Sequence, residues 1–395
     1  MRLLNRTIWV AVCAAMTVTI AAGGASAAAK PPPKTLKASS FTSDFSVMTQ
    51  LNSLAKSGKG MIGVLLPETT TSARYTAFDA PYLAKAFQKA GLKSNQYTIE
   101  NAQGSDATQK TQAEALMTEG ATVLLVDPID SGVGAAIESE AKSRGVKVID
   151  YDRITLGGSR DYYVSFDNVK VGQIIGKGIV SCVSAWNVQK PNILVLDGAP
   201  TDNNATLFSQ GYNQVLKPHF DSGEYVKVGE PAGTWDPPTA LTTFQQQYTA
   251  HPNINAVVTP NDANANAVIS ALKTLNIPAK KFPTTGQDAQ LTGLQNILSG
   301  YQCMTVYKPI YVEAQASAAL ALYLRAGLKP PAGLVNGKTT DSQAKSQVKS
   351  VLLPPLSVDS SNMAATVIKD GFVQASALCQ GSIASLCQQA GIKTS

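Results

Sequence analysis

The sequence predicts an α/β fold with two similar lobes, and three observations carry that prediction. Short, near-continuously apolar runs alternate with segments of helical period between residues 61 and 151, the pattern of a parallel sheet covered on both faces. The same alternation restarts after Asn168. An apolar extended run, VLLPPLSV, returns near the end of the chain at 351–358, so the chain crosses between the lobes several times. A length of 395 residues is enough for two domains with a large core. Hydrophobic residues at 44% against 15% charged mark a globular chain rather than a disordered one.

The first residues have the form of an export signal. Arg2 and Arg6 precede an apolar run, Ile8 to Ala22, that is short for a membrane span, and Ala25-Ser26-Ala27 fits a cleavage site. Residues 1–28 are therefore expected to be a signal peptide, with an uncleaved anchor as the alternative. Cys13 follows Val12, where a lipidated cysteine needs a small residue, so lipidation is not expected. Residues 29–43, KPPPKTLKASSFTSD, read as a linker. Phe45, Met48, Leu51 and Leu54 then recur every three residues as a short amphipathic helix, which closes a linker-and-helix segment at residue 59.

From Met61 the units come in order. MIGVLLP is a strand, 77–90 a helix closed by Gly91, 97–100 a strand and 108–118 a helix. VLLV (123–126) is a strand ended by Asp127-Pro128, 134–143 a helix and 146–151 a strand. A second apolar run, 162–164, breaks at Phe166-Asp167-Asn168. The second series then has helices at 169–186, 207–216, 240–249, 263–275 and 291–298. Its strands are expected at 192–198, 225–230, 254–260, 282–286 and 301–309. A long apolar helix, 312–326, precedes a Lys-, Gln- and Ser-rich loop at 338–350, and residues 374–395 read as a surface tail. The expected division is residues 60–165 with 308–345 in the first lobe, and 166–307 with 346–373 in the second.

Several chemistries are excluded. The net charge of +6 arises from scattered residues, with no basic stripe for nucleic acid. His219 and His251 have no second ligand at metal spacing. Nucleotide-binding glycine loops, G-x-S-x-G and H-E-x-x-H are all absent. Asp262-x-Asn264-x-Asn266 starts like a calcium loop, but glycine is missing at the sixth position and Lys273 stands where glutamate is needed. No metal, cofactor or catalysis is expected. Outside the signal there are four cysteines, an even number that favours disulfides after export. Three pairings are possible; short spacing favours Cys379 with Cys387, leaving Cys182 with Cys303, and buried free thiols are the alternative. Asn204-Ala205-Thr206 is a glycosylation sequon.

The residues just past each strand are the informative ones. Arg74 and Tyr75 come after the first; Asp152 and Arg153 after the strand at 146–151; Asp202, Asn203, Asn204 and Phe208 after 192–198. Trp235, Asn261, Asp288 and Lys308 stand at the ends of later strands. Open α/β sheets bind ligands at the carboxyl ends of their strands. Carboxylates, amides and Arg or Lys exchange hydrogen bonds with adjacent hydroxyls, and aromatic rings cover the C–H faces of a sugar. Each residue also has a structural reading, since Asp and Asn are turn formers and helix N-caps and Asp152-Arg153 could be an ion pair. The collective pattern points to a neutral polyol.

These residues sit in longer motifs. They are Ala73-Arg74-Tyr75, Tyr151-Asp152-Arg153, YVSFDN (163–168), Asp202-Asn203-Asn204-Ala205, Leu216-Lys217-Pro218 and Asn261-Asp262-Ala263, then Gly286-Gln287-Asp288-Ala289, MTVYKP (304–309) and VIKDGF (367–372). Spread in order over about residues 60 to 372, they resemble the sugar-binding proteins of ABC importers, with the ribose-type (type I) periplasmic binding fold, and among them the D-xylose-binding members. The resemblance implies two Rossmann-like lobes, a hinge of three crossings and a monosaccharide closed between the lobes. It assigns sugar hydrogen bonds to Arg74, Asp152, Arg153, Asp202, Asn204, Asn261, Asp288 and Lys308, and ring stacking to Trp235 with Tyr75 on the opposite face. Phe208 stands where ribose-binding relatives have an arginine and adds an apolar wall. Tyr75 departs from the tryptophan of the xylose pattern. The implied protein is an exported monomer that delivers D-xylose, or else another aldose (glucose, arabinose or ribose), to a membrane ABC permease or a sensing receptor. It would catalyse nothing and bind no nucleic acid. A sugar-responsive transcription regulator would need a helix-turn-helix before residue 60, where the signal and linker stand.

Overall fold

The computed structural model describes residues 33–72 and 74–394; the expected signal peptide, including Cys13 and the cleavage site, lies outside them, as do Ala73 and the first residues of the expected linker.

The described residues begin with a 3₁₀ turn, Ala38–Ser40, followed by a 3₁₀ helix, Ser46–Leu51, and α1, Asn52–Ser57. The every-third spacing of Phe45, Met48, Leu51 and Leu54 is the period of a 3₁₀ helix, and all four are buried. The first lobe continues as β1 Met61–Leu66, a π-helical turn Tyr75–Asp79 running into α2 Ala80–Ala90, β2 Tyr97–Asn101, α3 Asp106–Thr118, β3 Ala121–Val126, α4 Ser131–Ser143, β4 Lys147–Tyr151 and β5 Tyr162–Phe166. The second contains α5 Asn168–Ala185, β6 Asn192–Val195, α6 Asn203–Asp221, β7 Val226–Gly229, α7 Pro237–Ala250, β8 Ala256–Val258, α8 Asp262–Thr274, α9 Leu291–Leu298 and β9 Thr305–Tyr307. Then come α10 Ile310–Arg325, β10 Gly337–Asp341, β11 Ser346–Leu353, β12 Leu356–Val358, a π-helical turn Ala364–Ile368, α11 Ala375–Leu378 and α12 Ala384–Gln389.

Seven strands form the first sheet in the order β10-β11-β5-β4-β3-β1-β2, parallel except for the β10–β11 pair. The second lobe has a parallel β7-β6-β8 sheet and a separate antiparallel β12–β9 pair. Single bridges at Val257–Thr284 and Gln287–Val306 join these pieces, so the strand expected at 282–286 is reduced to bridges. The chain passes between lobes after Phe166, between Tyr307 and Ile310, and between Leu353 and Leu356. Parallel sheets are covered on both faces: α10 lies almost wholly buried in the main core.

Four expectations are corrected. The loop expected at 338–350 is the β10–β11 hairpin, whose exposed face is polar because it is a sheet edge. Its anchor is electrostatic: buried Asp341 accepts from Arg160 Nη2 at 2.6 Å and from the Gly157 amide at 3.0 Å. Because β11 pairs with β5, residues 346–353 belong to the first lobe and the third crossing falls at Pro354-Pro355 rather than 345/346. The described part of the linker is packed, with Leu36, Phe41 and Phe45 buried and the carbonyls of Pro33 and Thr42 accepting from Tyr323 and Gln315. Few apolar residues are enough when each finds a core position. The tail is packed for the same reason: Leu378, Cys379, Cys387 and Ile392 are buried in a cluster with Leu294, Ile297 and Phe372. Phe372 in turn stacks on Phe78 of the first lobe at 4.0 Å between ring centres. Cys379 is bonded to Cys387, and Cys182 to Cys303.

Candidate functional site

Each first-lobe side chain at the site is placed by the end of a strand or by the loop after it. Arg74 and Tyr75 lie where the chain leaving β1 enters the π-helical turn before α2. Asp152 and Arg153 leave the end of β4 through a tight turn, with Asp152 at φ +58°. That left-handed conformation costs an L-residue about 1–2 kcal/mol and is less unfavourable for Asp than for most others. It is held by the Asp152 amide donating to Val164 O at 2.9 Å and by Ser165 Oγ and Tyr163 OH donating to Asp152 O.

In the second lobe the side chains come mainly from helix starts. Asp202 caps α6, accepting from the Asn204 amide, and Asn261 caps α8, accepting from the Asn264 amide. The structural role of these residues as N-caps therefore coexists with their place at the site. Trp235 donates through Nε1 to Asp202 Oδ2 at 3.1 Å and meets Phe208 edge-on at 6.4 Å. A Cβ added to Gly198 would lie 2.3 Å from the indole ring, so only glycine lets the ring lie against that backbone. Asp288 also has positive φ, at +89°, and Lys308 Nζ stands 3.1 Å from its Oδ1.

Eleven of the strand-end residues singled out in the sequence line one cavity: Arg74, Tyr75, Asp152, Arg153, Asp202, Asn204, Phe208, Trp235, Asn261, Asp288 and Lys308; Asn203 lies outside that lining. Thr71, Ser72 and Gln287 complete the wall; nothing in the sequence marked Thr71 or Ser72, whereas Gln287 stands beside Asp288 past the 282–286 segment and inside one of the longer motifs, though outside the expected ligand set.

The two sides touch directly. Arg153 Nε lies 3.2 Å from Asp202 Oδ2, and Asn204 Nδ2 donates to Asp152 O at 3.0 Å. Arg74 directs four of its five N–H groups to protein partners: two to Asp79, one to Asp152 at 2.7 Å and one to Glu313 at 2.8 Å. Tyr151 OH also donates to Asp79. Tyr75, expected to face a sugar ring, donates its hydroxyl to Asp152, accepts from Arg153 at 3.0 Å, and has both guanidiniums within 5.6 Å of its ring centre. Arg153 is further flanked by Asp127 at 3.5 Å. Asp127, Asp79 and Glu313 thus form a rear layer of buried carboxyls that the sequence reading did not single out; Asp127 carried the same strand-end signal as Asp152.

Burial opposes every charge here, and partners decide which survive. For Arg74, burial is outweighed by Asp152, Asp79 and Glu313, which hold its pKa well above the ordinary value. Burial also works against Asp152, yet Arg74, Lys308 and Arg153 bring its pKa below the usual carboxylate value. Burial wins at Asp202, Asp127 and Glu313, whose pKa values rise despite nearby arginines. The cavity therefore presents a fixed carboxylate, Asp152, beside permanent cations. Among the described residues no group of three or more His, Cys, Asp or Glu could hold a metal, and no helix is long and apolar enough to cross a membrane.

Residues 62–329 match the family described as a periplasmic binding protein domain. The chain is 39% identical over 282 residues to the D-xylose-binding periplasmic protein of Escherichia coli, covering 71% of this chain and 82% of that one. It is 32% identical over 358 residues to the multiple sugar-binding periplasmic protein SbpA of Azospirillum brasilense, covering 85% and 98%. Among solved structures, a carbohydrate transporter solute binding protein from Chloroflexus aurantiacus in complex with D-glucose superposes with a TM-score of 0.71 at 29% identity, covering 80% of this chain and 97% of that one. The family and these relatives are solute-binding proteins, not enzymes. With a parallel-sheet fold in two lobes, a small polar cavity between them and a family match over more than half its length, the chain belongs to the periplasmic binding protein family.

Proposed function

We propose that this protein captures one monosaccharide, D-xylose, between its lobes outside the cytoplasm and delivers it to a membrane ABC permease. The observation that carries the reading is the convergence of eleven strand-end and helix-start residues on a single cavity. Arg, Lys, Asp and Asn supply paired donors and acceptors for vicinal hydroxyls, and Trp235 with Phe208 supplies an apolar surface for a ring face. Residues 1–28 would direct export and then be removed, and the mature chain would act as a monomer with no cofactor and no nucleic-acid partner. The lobes would comprise residues 60–165 with about 308–353, and 166–307 with about 356–373. Ligand held by both lobes stabilises the closed arrangement, which a permease can read.

A second reading, another aldose such as glucose, arabinose or ribose, draws support from relatives named for multiple sugars and from the glucose complex. Titration calorimetry of the mature protein with D-xylose, D-glucose, L-arabinose and D-ribose tests both. Heat with D-xylose at roughly micromolar affinity, about −8 kcal/mol, is the expected result. Preference for another aldose selects the second reading, and no heat with any of them removes the sugar assignment.

A further inference from the structure

Much of the polar wall of the cavity is already engaged by the protein itself. Asn204 Oδ1 accepts from Asn168, and its Nδ2 donates to Asp152 O. Asp202 accepts from the Asn204 amide and from Trp235, and pairs with Arg153. Arg74 has a single N–H left beyond its bonds to Asp79, Asp152 and Glu313. Gln287, in contrast, lines the same cavity with its amide oxygen unpartnered.

The orientation of that amide is set by its neighbours. Gln287 is 3% exposed, and its Nε2 donates to Pro260 O at 3.3 Å. Turning the amide over would bring two carbonyl oxygens face to face, so nitrogen faces Pro260 and oxygen is the free atom. The backbone is pinned as well: Gln287 O accepts from the Asp262 amide at 2.9 Å, and the residue bridges Val306. A buried acceptor left without a donor costs about 1–3 kcal/mol. The neighbouring Asp288 and Lys308 place a carboxylate and an ammonium next along the wall.

We infer that Gln287 is a specificity-determining residue whose Oε1 accepts a hydrogen bond from one hydroxyl of the bound sugar, so that the site demands a hydroxyl donor at that one ring position. The inference rests on the sugar reading of the cavity and deepens it. A ligand lacking that hydroxyl would leave Oε1 buried and unpaired, which is how a hydrogen-bonding site rejects deoxy analogues.

The test is calorimetry of wild type and Gln287→Met with D-xylose, D-glucose and their monodeoxy analogues, after circular dichroism has shown the variant folded. Methionine keeps the length of the side chain and removes the acceptor. Wild type is expected to discriminate against each deoxy position whose hydroxyl the site binds; Gln287→Met is expected to bind the parent sugar about tenfold more weakly and to lose discrimination at one of those positions alone. If Gln287→Met does not fold, Gln287→Ala is measured for the same pattern. Unchanged affinity for the parent sugar, or a discrimination pattern identical to wild type, overturns the inference and leaves the sugar site standing. Wild type that binds no aldose overturns the sugar reading and this inference with it.

Discussion

Arg153 Nε lies 3.2 Å from Asp202 Oδ2, joining the strand-end turn after β4 to the first turn of α6 in the other lobe. The same guanidinium is hydrogen-bonded to Tyr75 and stands beside Asp127, so one side chain organises both walls. Arg153→Met is expected to weaken sugar binding at least a hundredfold, since each hydrogen bond to a charged group contributes about 1.5–3 kcal/mol. Removing the cation also strands two buried carboxyls, at a stability cost of about 3–5 kcal/mol. Calorimetry and urea denaturation of the variant check the two effects separately; full affinity in a folded variant would place the sugar elsewhere.

Trp235 contributes a ring rather than a charge. Trp235→Ala is expected to lower affinity about tenfold to a hundredfold through lost ring contact, about 1.5–3 kcal/mol. Trp186 is the other tryptophan of the described residues and lies at the end of α5, away from the cavity lining. The fluorescence change on sugar addition should therefore vanish in this variant. A persisting change of wild-type size would show that Trp235 does not face the ligand.

Asp197, half-buried just past the end of β6, has its pKa pushed up to about 7 by burial and by neighbouring Glu230. The native state thus holds a proton that the unfolded chain releases near the ordinary aspartate value of 3.8. By linkage this stabilising contribution is complete below about pH 4 and lost as pH rises through about 7. Asp197→Asn should remove that slope, so its melting temperature should exceed wild type by more at pH 8 than at pH 5. Parallel curves for the two proteins would rule out Asp197 as the titrating group.

The two disulfides close loops of very different length, 121 residues for Cys182–Cys303 and 8 for Cys379–Cys387. Loop entropy alone gives about 5 kcal/mol for the longer and about 2.5 kcal/mol for the shorter. Replacing Cys182 and Cys303 with serine should therefore lower the denaturation midpoint more than replacing Cys379 and Cys387. The reverse order would mean that the packing of the C-terminal segment on α9 depends on its disulfide more than loop entropy requires.

Local signals in the sequence were strong where burial repeats. β1, β3 and β4 were legible because both faces of a central parallel strand are apolar, and their boundaries agree with expectation within two residues. The 282–286 segment, FPTTG, was harder: Phe282 is its one large apolar residue, and it pairs only through a single bridge at Thr284. The β10–β11 edge was illegible because its exposed face carries Lys, Gln and Ser, while the buried charge that anchors it, Asp341 with Arg160, is paired across 181 positions.

The candidate site divides the same way. By themselves, the residues established two series of βα units and a set of polar and aromatic side chains after their strands, because periodicity and strand-end chemistry are local. Only the tertiary structure decided that these side chains share one cavity, that Arg74 and Asn204 are largely committed to protein partners, and that Gln287 keeps an acceptor free. Those outcomes depend on contacts such as Arg74 with Glu313, 239 positions apart, and on left-handed turns at Asp152 and Asp288. Non-glycine residues hold such turns only when the surrounding fold compensates for them.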